Sequence, residues 1–187
     1  MLNKLANDTK DLITTAIKGA DDVLGSLRGA VTKNVTGLTK DLGSMAKTNV
    51  ETLSDVVQGA LSSASAMGVS VVEATSAVVS SAITSVTKAG GDGIHATQSV
   101  VRGAVLAASE TGNDVGKAAM AAISSAAEVA NHAGHSATDA TRRAIAGVLQ
   151  AGTEIAREAT GTAKSAAHGT VALPRELFDA LTGTSRK

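Results

Sequence analysis

The chain has 187 residues, with one Phe, no Trp, no Tyr and no Cys, and its 17 basic residues are balanced by 17 acidic ones. So few aromatics exclude a core built on large side chains, and the absence of Cys excludes disulfides and thiolate metal sites. Zero formal charge argues against nucleic acid, which needs clustered Lys and Arg to neutralise phosphates, while 43% hydrophobic residues are too many for a disordered solvating chain.

Residues 1–12 read as a lead-in. The opening MLNKLANDTK lacks the apolar run of a signal peptide, so the protein is expected not to be secreted, and the sequons at Asn7 and Asn34 read as chance matches.

A tandem repeat begins at Ile13. Steps of 22 give Ile13, Val35, Val57, Val79, Val101, Ile123, Ile145 and Ala167. Two residues after each anchor stands a small side chain: Thr15, Gly37, Gly59, Ser81, Gly103, Ser125, Gly147 and Gly169. Twenty-two is twice eleven, and eleven residues make three helical turns at a pitch close to the ideal 3.6 per turn. Offsets 0, 4, 7 and 11 from the anchors therefore share one apolar stripe, and charges such as Lys40, Glu51, Glu110 and Arg143 gather on another arc. The period predicts an all-α protein: one nearly straight or slightly right-handed helix over residues 13–173. Gly37, Gly59, Gly103 and Gly147 are expected where helix backbones approach closely.

Between Asp55 and Lys88 the only charge is Glu73. Residues 56–87 are long enough to span a bilayer but diluted by serines, so a membrane reading requires a bundle in which Glu73 is a buried charge. Ala89-Gly90-Gly91-Asp92-Gly93 reads as a hinge or kink, because three glycines weaken a helix; the 22-residue phase nevertheless runs through it without a slip. His132 and His135 are placed to share a helix face, with Glu128 one turn before, but a solvated polar face is the favoured reading over a metal site. No catalytic arrangement, cofactor motif or metal site stands out. From Pro174 the repeat stops, and Leu177, Phe178 and Leu181 suggest a short capping helix.

These columns resemble those of bacterial hendecad coiled-coil proteins, in particular the small-residue-rich kind that forms transmembrane helical assemblies. The resemblance covers Ile13 to about Leu173 and rests on period and composition. It implies parallel self-association into a homo-oligomeric coiled coil, bundle or barrel. The expected function is thus a non-enzymatic structural protein whose partners are itself and a lipid membrane, with no nucleic acid and no small-molecule substrate, at the bacterial inner membrane or in the cytoplasm. Two alternatives stand beside it. One is an amphipathic helix coating a lipid or granule surface, as in synucleins, perilipins and phasins, although the synuclein Lys-Thr-Lys-Glu-Gly-Val motif is missing. The other is a soluble structural filament.

Overall fold

The computed structural model describes residues 19, 21–38 and 50–169, and every element among them is helical, with no strand. They are α1 (21–38), α2 (Val50–Ala66), α3 (Val71–Lys88), α4 (Gly93–Glu110), α5 (Val115–His132) and α6 (Ala137–Gly169). The expected single helix is therefore corrected to a series of helices, three of them 18 residues in length. The unit of 22 is an 18-residue helix and a four-residue turn. This is why the phase passes unbroken through Gly90–Gly93: the turn is itself part of the repeat.

The turns repeat in backbone conformation. Gly68, Gly90, Gly112 and Gly134, each 22 residues from the last, take left-handed φ values of 75°, 85°, 68° and 71°. Only glycine does so without a steric penalty. The following N–H then bonds back to the carbonyl five residues earlier: Val69 to Ala64, Gly91 to Val86, Asn113 to Ala108 and His135 to Ala130, at 2.8–3.1 Å. Two residues after each glycine, Ser70, Asp92, Asp114 and Ser136 start the next helix. Asp92 accepts from the His95 N–H at 2.9 Å, Asp114 from Lys117 at 3.0 Å, and Ser136 from Asp139 at 3.2 Å. Such side-chain caps satisfy N–H groups that have no partner inside the helix. The Asp114 carboxyl is held below its usual range, first by the Lys117 backbone N–H and then by the Lys117 side chain.

The same column holds Leu24, Ala46 and Ala156 where the others hold glycine; Ala46 lies outside the described residues, and at Leu24 and Ala156 the chain stays helical. A turn at Leu24 would force its Cβ into the left-handed penalty of about 1–2 kcal/mol, and Glu158 is a poor substitute for a capping Ser or Asp. Among the described residues, the chain folds back where this column is glycine and runs on where it is not.

The chain divides into two compact units, Met1–Gly152 and Thr153–Lys187. In the first, α2 packs on α4 and α3 on α5, with smaller contacts between successive helices. The pairings Ser54 with Gly103, Gln58 with Glu110 and Ser65 with Asn113 rise together in number, so α2 and α4 run parallel. Successive helices are antiparallel: the start of α3 (Ala74, Thr75) lies beside the end of α4 (Ala107, Ala108). Two layers result, α1, α3 and α5 in one and α2, α4 and the first part of α6 in the other, as in arrays of stacked helical hairpins. Their core is Val and Ala, with Val57, Val78, Val79, Val86, Val100, Val101 and Ala104 wholly buried. In the second unit α6 continues, with residues 156–160 exposed.

The low-charge stretch 56–87 is thus two helices separated by a turn at 67–70. Among the described residues, no helix is long and apolar enough to cross a membrane.

Candidate functional site: the helix-packing faces

A helix contacts the one two places before it, and the small column makes that approach. A Cβ at Gly103 on α4 would collide with the Ser54 carbonyl oxygen of α2 and come within 2.9 Å of Ser54 Oγ. Forty-four residues on, a Cβ at Gly147 on α6 would collide with the Gln98 carbonyl of α4 and lie 3.1 Å from the Arg102 nitrogen. Each glycine therefore sits over the residue 49 positions earlier. Hydrogen bonds flank the seam: Gln58 donates to Glu110 between α2 and α4, and Gln98 to Gln150 at 3.2 Å between α4 and α6. In the other layer Ser85 of α3 donates to Thr32 of α1 at 3.2 Å.

Gly37 and Gly59 occupy the same column on α1 and α2, yet a Cβ at either would meet nothing within 4 Å. These helices begin the described array, so no earlier helix of the array lies over them. The four expected contact glycines accordingly split into two in tight approach and two facing open space.

The anchor column splits in the opposite sense along the chain. Val35 is 1% exposed, and Val57, Val79 and Val101 are 0%. Ile123 on α5 is half-buried, and Ile145 on α6 is 46% exposed. Anchors are covered where helices follow and uncovered where the array stops. Ile13 lies outside the described residues, as do Pro174 and the tail.

Two grooves mark these ends. One, of about 560 Å³, runs between α1 and α2 and is lined by Asp22, Leu27, Val31, Asp55, Gly59 and Met67, among others. The second, of about 460 Å³, is lined by Ala137, Thr138, Thr141, Arg142 and Ile145 on α6. Arg142 there pairs with Asp139 at 3.2 Å, with both side chains more than half exposed. At the corresponding place on α5 stands Met120, an apolar side chain 73% exposed.

Glu73, expected as a buried charge, is exposed in the first turn of α3. There its carboxylate complements the positive end of the helix dipole, and no membrane or bundle interior is needed to explain it. His132 and His135 do not share a helix face: His132 ends α5 and His135 follows the left-handed Gly134 in the turn. Among the described residues no group of three or more His, Cys, Asp or Glu is placed to hold a metal ion. Sequence reasoning singled out the turn at Gly90 as a hinge or kink but missed the equivalent glycines Gly68, Gly112 and Gly134 and the caps. Their signal was present as Gly-x-Ser or Gly-x-Asp recurring every 22 residues, which is a helix stop followed by a helix start.

No protein-family model matches the chain, and a search of curated proteins finds no match.

Proposed function

We propose that this chain is a non-enzymatic structural protein that works by assembling with copies of itself, its repeated helix faces being the adhesive. The observation that carries this reading is the anchor column. The same type of side chain at the same place in the repeat is fully buried in α2, α3 and α4 and 46% exposed at Ile145 of α6. An array held together by a repeated seam leaves that seam unsatisfied at its ends, and repeat proteins need polar terminal faces to remain separate. Here the end formed by α5 and α6 carries exposed Met120 and Ile145 instead. Two of the buried polar side chains also belong to the seam: Ser54 lies beneath Gly103, and Ser85 bonds to Thr32.

Lipid is the second partner that exposed apolar ends can take. The broken stretch 56–87 argues for a surface contact over a spanning helix. Light scattering of the purified chain across a hundredfold concentration range tests the proposal. Mass that rises with concentration in the absence of lipid supports self-assembly. A constant monomer mass together with flotation on phospholipid vesicles replaces it with a membrane-surface role, and a constant monomer that leaves vesicles behind removes both.

A further inference from the structure

The two ends of the first unit are complementary in register, shape and charge, and we propose that copies join head to tail, α5 and α6 of one copy packing under α1 and α2 of the next as though the array continued. This rests on the self-assembly reading above and specifies its interface. Inside the chain, the seam sets Gly103 over Ser54 and Gly147 over Gln98. The upper partners form the series Gly59, Gly103, Gly147 and the lower partners the series Ser54, Gln98, Arg142, each stepping by 44. The unused members are Gly59 at the head and Arg142 at the tail. In the other layer the unused members are Gly37 on α1 and Met120 on α5. Because both layers end after a whole pair of helices, α5 falls to α1 and α6 to α2 without a change of order.

The surfaces match in what they offer. Gly59 lies in the groove of about 560 Å³ whose rim carries the carboxylates of Asp22 and Asp55. Arg142 lies in the groove of about 460 Å³ beside Ile145. Docking brings the Arg142 guanidinium, which pairs with Asp139 of its own helix, to two more carboxylates. It also gives Ile145 the cover that the equivalent Val57 and Val101 already have. Met120 gains the small-residue face at Gly37.

A second copy is favoured over a fold-back of the same chain. Filling the head groove in register would need a turn at Leu24, and there the backbone is helical within α1. The tail is open for the same reason, α6 running on through Ala156. An interface between two different surfaces does not close on itself and propagates as an open chain of copies.

The test uses two full-length variants. Gly59→Leu blocks the head, where the monomer has room for the side chain, and Met120→Glu with Arg142→Glu blocks the tail. Each alone is expected to be monomeric with unchanged helicity by circular dichroism. Mixed in equal amounts they are expected to form a dimer and nothing larger, because one supplies a good tail and the other a good head. Assemblies that persist in both variants would overturn the head-to-tail seam while leaving self-assembly intact. Dimers formed by either variant alone would overturn it in favour of a symmetric contact. A wild-type chain that is monomeric throughout, with Gly59→Leu less stable to heat, would overturn both proposals by showing residues 1–18 of the same chain in the groove.

Discussion

Gly59 and Gly103 stand at the same place in the repeat, two helices apart, and meet opposite surroundings. Gly103 is pressed against the backbone of Ser54, whereas Gly59 faces open space. Val79 and Ile145 make the same contrast in the anchor column, one wholly buried and the other nearly half exposed. A repeat therefore specifies what each position is built to contact, and position in the array decides whether the contact is made. Centre and ends are one design with different occupancy.

The largest expected effect that sharpens this contrast comes from charge. Val79→Lys buries an unpaired ammonium between helices and is expected to destabilise the first unit by about 4 kcal/mol, whereas Ile145→Lys, which reaches water, stays within about 0.5 kcal/mol. Urea melts followed at 222 nm give both numbers, and equal losses would erase the distinction between centre and end. Next comes size. Gly103→Leu has no room and is expected to cost about 3 kcal/mol through overpacking. Gly59→Leu, in a monomer, is expected to gain up to about 1 kcal/mol from better helix propensity. A loss at Gly59 matching that at Gly103 would mean that its face is already filled.

The turns come third. Gly112→Ala places a Cβ in the left-handed region and is expected to lower stability by about 1–2 kcal/mol. The same change at exposed, right-handed Gly152 is expected to raise it. If Gly112→Ala were stabilising, the helix would be running through that position. Smallest are the caps. Asp92→Ala removes the acceptor for the His95 N–H and is expected to cost about 1 kcal/mol, visible as a lowered thermal midpoint. Asp114 adds a pH signature. Its carboxyl is held below its usual range, so its stabilising effect is complete above that range and fades as the pH falls through the lowered value. Asp114→Asn should flatten the acid limb of a stability-versus-pH curve and lower the neutral plateau, the two proteins converging in stability at low pH.

The sequence made helix, period and small-residue seam legible, because an apolar stripe at a helical period has no strand equivalent. It also singled out Gly103 and Gly147, which lie against Ser54 and Gln98 of the same chain. The folding of the helix upon itself was harder to read. Gly68, Gly90, Gly112 and Gly134 fell on the eleventh offset, where a small residue also suits a packed stripe; Gly90 stood out as a hinge because Gly91 and Gly93 flank it, whereas a single glycine inside a helical pattern is tolerated often enough to be passed over. Only together with Ser70, Asp92, Asp114 and Ser136, two residues on, does that column become a stop and start. An eleven-residue period suits a continuous helix, and a multiple of it equally suits eighteen helical residues and a four-residue turn. The difference lies in left-handed φ angles that periodicity does not encode. Glu73 misled for a related reason: seen as the lone charge in an apolar stretch it looked buried, whereas the turn at 67–70 makes it the first-turn residue of an exposed helix end.

The fold-back of α2 onto α4 is open to direct measurement, and the absence of native Cys makes labelling clean. Nitroxides on Gln58→Cys and Glu110→Cys, in a chain diluted with unlabelled protein, report a separation across 52 positions of sequence. Parallel neighbouring helices place these residues at interhelical distance, about 10 Å between axes, so a dipolar separation of roughly 20 Å or less is expected once label length is included. A continuous helix at 1.5 Å per residue would set them about 78 Å apart, and a distance in that range would contradict the folded array.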